Sequence, residues 1–186
     1  MVQLYKQSDY ENAFNLKKKL LVFYFIGLSV FVIPMVVLFI LYLSLPYAST
    51  PELESLGNTY LILNCVITGL AIFLSFVYFG IPYKRAKSYF NLLNDFKIGQ
   101  KVKNQGTFLQ NDISVTEING VDFHSMIVLE WSEKTQTYMK RHVLVDKEKP
   151  MPELKNGDII NYVTHANVLL TYALKSEEDV FEDLID

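Results

Sequence analysis

The sequence predicts an α+β membrane protein: a two-helix transmembrane hairpin followed by a small antiparallel β-barrel or sandwich, of SH3-like or OB-like size. Three observations predict it. Residues 20–46 and 60–83 contain no Asp, Glu, Lys or Arg. Each run exceeds the ~20 residues that a helix rising ~1.5 Å per residue needs to cross a bilayer core. From Lys101 onward, apolar and polar residues alternate over short runs separated by turn pairs such as Asn119-Gly120 and Gly157-Asp158, which is the signature of strands.

Residues 1–19 form a polar segment ending in Lys17, Lys18 and Lys19. The first span, 20–46, is about twice the length of a signal-peptide core and is followed at once by a second span, so it is expected to stay in the membrane. The connecting segment, 47–59, carries Pro51, Gly57 and only Glu52 and Glu54 as charges, and it reads as a short external reversal. The second span, 60–83, ends against Lys84, Arg85 and Lys87. Lys and Arg near spans stay on the cytoplasmic side, so a multi-pass protein of the cell membrane with both termini in the cytoplasm is expected. The same six residues anchor the chain to anionic lipid, at about 1 kcal/mol each.

Within the second span, Asn64, Thr68, Ala71 and Ser75 recur at helical spacing and share one face. Small and hydroxyl-bearing residues let helices approach closely in lipid, so this face is assigned to packing on the first span, with homo-oligomerisation through the helices as the alternative. No ionisable residue marks a transport path through either span.

The segment 84–98 is a juxtamembrane helix, with Tyr89, Leu92, Leu93 and Phe96 on one stripe that is expected to pack on the domain that follows. Residues 99–174 form the cytosolic β-domain. Its expected strands are Thr107–Gln110, Ile113–Ile118, Val121–Trp131, Tyr138–Val145, Ile159–Val163 and Val168–Leu174. In the third, Val121, Phe123, Ile127, Leu129 and Trp131 fall on one face; in the fourth, Met139, Val143 and Val145 are expected inward. Residues 175–186 are an acidic tail in which Phe181, Leu184 and Ile185 are candidates for docking on a basic partner groove.

Chemistry-bearing patterns are sparse. The three histidines, His124, His142 and His165, have no zinc-motif spacing, and Cys65, the one cysteine, lies inside the second span. No serine elbow and no glycine-rich phosphate loop occurs, so no catalytic residue, metal or cofactor is assigned and the chain is read as a non-enzyme. A net charge of −3, with acids and bases nearly balanced over the β-domain, excludes a nucleic-acid footprint.

As a whole the chain resembles bacterial proteins of uncharacterised function that have two transmembrane helices and a small C-terminal cytosolic β-domain. The resemblance is carried by Tyr83-Lys84-Arg85, Gly106-Thr107-Phe108-Leu109, Val143 through Pro150, Gly157-Asp158 and Asn167-Val168-Leu169. It implies an architecture and no activity. A looser similarity is to two-helix-plus-barrel effectors of anti-phage signalling, whose nucleotide-sensing barrels are larger than 99–174 allows. The expectation that follows is a membrane-anchored binding or scaffolding module, an accessory subunit recruiting or regulating a protein partner at the cytoplasmic face. The alternative is a membrane-perturbing effector or sensor whose β-domain binds a small anionic ligand.

Overall fold

The computed structural model describes residues 1–46 and 50–175. It divides into two compact units, one formed by 14–87 and the other by 1–13 together with the chain from Ser88 onward.

The first unit is the helical hairpin. Helix α1 runs Gln7–Ser44 and α2 runs Pro51–Tyr78. Both are long and apolar enough to cross a membrane. Helix α1 starts well before the apolar run because its first turn is capped: the Lys6 amide donates to Asp9 Oδ2 at 2.8 Å, the return half of a capping box. Most of 1–19 is therefore helical. Helix α2 also starts earlier than the apolar run, because Thr50 caps it, Pro51 suits its first turn, and Glu52 and Glu54 face its positive end. The reversal expected over 47–59 is correspondingly shorter. After Tyr78 the helix widens into one π-turn, Phe79–Tyr83, around Pro82, whose missing amide breaks the regular ladder, and it continues as α3, Lys84–Ile98.

The second unit is a closed five-stranded barrel with one added strand, not a sandwich. Strands β2 (Val102–Ile118), β3 (Val121–Ser132), β4 (Thr137–Asp146), β5 (Ile159–His165) and β6 (Val168–Leu174) follow the order β2-β3-β4-β6-β5 and return to β2. All pairings are antiparallel except the contact of β4 with β6 at Leu144 and Val168. Strand β1, Val2–Gln3, joins the other part of the β6 edge, opposite Tyr172 and Thr171. Two expected strands are one long β2, which bends by register shifts between Phe108 and Gln110 and between Asp112 and Thr116. Such bulges curl the strand so that it pairs with β5 early and with β3 late.

Tight turns close the hairpins. Asn119 and Gly120 have φ of 53° and 83°, and Ala166 and Asn167 have 46° and 69°, the paired left-handed conformations that match strand twist.

The lumen holds Phe108, Met126, Val128, Val143, Val145, Ile160, Tyr162 and Leu169, most of them with no exposed surface. The five β3 residues read as one face do share it. That face of Val121, Phe123, Ile127, Leu129 and Trp131 is the outer one, and Met126 and Val128 on the opposite face fill the barrel. Midway along β3 both faces carry apolar residues, Met126 and Val128 on one and Ile127 and Leu129 on the other, and alternation alone does not say which points inward. The outer face is buried only where helices cover it: Val121 and Phe123 pack with Ala13, Leu93, Phe96, Val168 and Leu170 in a second core. Met139, expected inward, is 51% exposed because the β3–β4 hairpin extends beyond the lumen. At its end Trp131 and Tyr138 pair edge to face, with centroids 5.0 Å apart.

Candidate binding site

In the hairpin unit, the face singled out in α2 lies against α1. Asn64 Nδ2 donates to Met35 O at 3.4 Å, and Ser75 Oγ meets the Tyr24 hydroxyl at 2.9 Å. Thr68 Oγ1 bonds Asn64 O at 2.7 Å with Met35 Sδ at 3.8 Å, and Ala71 is buried. The Tyr78 hydroxyl donates to Leu20 O, which sets the start of the first apolar run level with the end of the second. Lys17, Lys18 and Lys19 and the group Lys84, Arg85 and Lys87 therefore belong to the same end of the hairpin, and Glu52 and Glu54 to the other. Elsewhere its apolar side chains face outward, as a lipid-facing surface requires. Phe181, Leu184 and Ile185 lie outside the described residues.

In the barrel unit, a cavity of about 270 Å³ is lined by four lysines, Lys6, Lys97, Lys101 and Lys103, together with Tyr5, Tyr10, Leu93, Phe96, Val163 and Leu170. Six elements converge there, β1 through Gln3 and five others. The first turn of α1 supplies Tyr10, with Lys6 just ahead of it; the last turns of α3 supply Leu93, Phe96 and Lys97; β2 with the residue before it supplies Lys101 and Lys103; β5 and β6 supply the apolar wall. Lys101 and Lys103, two apart in extended chain, share a face. The Lys97 ammonium sits 3.5 Å from the Tyr10 ring centroid, a cation–π contact that fixes both. Among the described residues no Asp or Glu lines the cavity, so its potential is positive beside an apolar surface.

The flank of the site is held by a network at the end of β4. Lys149 Nζ pairs with Asp9 Oδ2 at 2.7 Å and lies 5.4 Å from the Tyr5 ring centroid. Burial pushes the Asp9 carboxyl up, but the bonds from Lys149 and the Lys6 amide outweigh it and hold the group below the usual carboxylate range. Asp146 is 1% exposed, and its Oδ1 accepts from the Glu148 amide at 3.0 Å. Burial first, and then the Asp146 charge, pushes the hydroxyls of Tyr5 and Tyr89 far above the ordinary tyrosine range. Both tyrosines are thereby kept neutral. Strand pairing supplies the rest: Leu4 N donates to Leu170 O at 3.0 Å, which seats the N-terminal segment on β6.

Other polar groups are dispersed. Arg141 Nη1 bonds Glu130 at 3.3 Å and Arg141 Nε donates to Asn167 Oδ1 at 2.9 Å, clasping the β5–β6 turn to β4. His165 Nδ1 lies 2.9 Å from Gln100 O, His124 is on β3, and His142 on β4. No group of three metal-ligating side chains occurs among the described residues. What the cavity can do is chemical recognition: ammonium groups for carboxylate or phosphate, and rings and aliphatic chains for an apolar body.

In the sequence Lys97, Lys101 and Lys103 simply continue the basic run that starts at Lys84, and nothing local links them to Lys6 and Tyr10. The available signal was the change of period at residue 99, which puts Lys97 on a helix end and Lys101 and Lys103 on a strand face. In comparisons with known proteins, no family model, curated protein or solved structure matches this chain.

Proposed function

We propose that this chain is a membrane-anchored, non-enzymatic binding module. The hairpin holds the barrel at the cytoplasmic face of the cell membrane, and the lysine-lined cavity recruits an acidic segment of a protein partner. The observation that carries the reading is the convergence of four lysines with an aromatic and aliphatic wall in one cavity. A buried apolar anchor ringed by opposite charge is how short segments gain both affinity and specificity. Confinement to the bilayer then raises the effective concentration of the barrel for any partner in the same membrane. The basic residues at one end of the hairpin support a cytoplasmic orientation.

Gentle detergent extraction from the native host, followed by identification of what co-migrates, tests this. One partner with an acidic segment should co-purify in near-stoichiometric amount, and the K97E/K101E double variant should lose it. Equal recovery with both proteins sinks the proposal. A reporter fused after Asp186 that is active only outside the cytoplasm overturns the orientation.

One observation favours a second reading. Between α1 and α2, Leu28, Val32, Met35, Thr68, Ile72 and Phe76 line an apolar cavity of about 480 Å³, a surface on which a second hairpin could pack in lipid. An effector that oligomerises there on binding a small anion would leak membranes when its ligand is added, whereas the adaptor would not.

A further inference from the structure

We infer that residues 176–186 of this chain dock in its own lysine-lined cavity and compete there with the recruited partner. The inference rests on the cavity being the binding surface, as proposed above, and adds its resident occupant.

Three facts argue for it. The first is charge: Glu177, Glu178, Asp179, Glu182, Asp183 and Asp186 stand in this segment with no Lys or Arg, against four lysines in the cavity lining. The second is the apolar complement. Phe181, Leu184 and Ile185 are interleaved with those acids, and the cavity places Tyr10, Leu93 and Phe96 beside its lysines. Its volume of about 270 Å³ suits one or two anchoring side chains; pockets for whole drug-sized ligands run from about 300 to 1,000 Å³. The third is reach. Thr171 of β6 lines the cavity, and β6 ends at Leu174. Lys175 is thus about 13 Å along the strand from the cavity wall, at ~3.3 Å per residue. Phe181 is six residues further on, and six extended residues span about 20 Å, enough to turn back to Thr171.

The geometry of the competition is simple. A segment tethered to the barrel meets the cavity at an effective concentration in the millimolar range, so a partner must offer more carboxylates, better anchors or its own membrane confinement to displace it. A weak intramolecular occupant would then act as a selectivity filter.

The experiment uses the full chain in lipid nanodiscs with the photo-cross-linker benzoyl-phenylalanine in place of Phe181. Illumination should join position 181 to the peptides that carry Tyr10, Leu93 or Phe96, within one molecule. K97E/K101E should reduce that product at least five-fold, and adding E177K, E178K and D179K to it should restore the product. Cross-links confined to other surfaces or to a second copy overturn the inference, as does a yield indifferent to K97E/K101E. Ending the chain at Lys175 should raise partner capture several-fold, and unchanged capture refutes the competition. Failure of the two proposals is distinguishable: cavity cross-links with no acidic partner recovered refute recruitment alone, whereas a recovered partner without cavity cross-links refutes self-docking alone.

Discussion

Gly99 ends α3 at a point where there is no room for a side chain. A Cβ there would lie 2.0 Å from His165 Cε1 and 2.6 Å from Asp95 O, the latter being the backbone oxygen that its own amide bonds. Gly99→Ala should therefore lower stability by about 1–3 kcal/mol, the usual cost of forced overpacking, read from thermal unfolding of the detergent-solubilised protein. A second residue-scale effect is electrostatic. Asp9 has its carboxyl held below the ordinary value, so it contributes stability that is fully present above pH ~4 and lost as pH falls through the lowered value. Lys149→Met should remove this contribution, shrinking the gap in unfolding midpoint between pH 7 and pH 3 relative to the parent protein. The neutral tyrosines behave in the opposite sense: Tyr5 and Tyr89, both raised, stabilise the fold below pH ~10 and weaken it as pH rises further. Burial raises Tyr172 as well, so tyrosine absorbance should show a late-titrating phase that Y5F/Y89F reduces and does not abolish.

At the scale of elements, the helix hairpin depends on close approach along one face. Ala71 is 9% exposed between Thr68 and Ser75, so Ala71→Leu should push α1 and α2 apart. A loss of about 1–3 kcal/mol in SDS-titration stability is expected, while Phe73→Leu, at a residue 64% exposed and outside the cavity between α1 and α2, should change little. This face was legible in the sequence, because its residues follow one helical period without a competing pattern. So was the β2–β3 hairpin, through Asn119-Gly120. Strand β2 was legible only as two pieces, since the bulges near Leu109 and Asp112 interrupt the alternation that marks a strand. The inner face of β3 was not legible at all: Ile127 and Leu129 are as apolar as Met126 and Val128, and the choice between them is made by barrel closure. The cavity was half legible. Lys101 and Lys103 stand together in the chain, but Lys6 and Tyr10 are about 90 residues away from them, a separation that no local period reveals.

For the whole molecule, α1 and α3 each belong to both units: α1 passes from one to the other at Ala13, and α3 at Ser88. The barrel unit is thus assembled from the two flanks of the hairpin, with Leu4 only 6% exposed in its lumen core. Leu4→Ala should cost about 2–5 kcal/mol, as buried leucines generally do, and should show as faster proteolysis of the barrel with the hairpin still membrane-inserted. This arrangement also imposes an order on biosynthesis. Val2 and Gln3 are made before both apolar helices, yet their partners Tyr172 and Thr171 are made after them, near the end of the barrel. At about 5–20 residues per second, strand β1 waits on the order of 10–30 s, while both apolar helices are synthesised, before its edge exists. The seating of β1 on β6 is therefore the last pairing the barrel can make, and it joins two segments between which both candidate spans have already been synthesised.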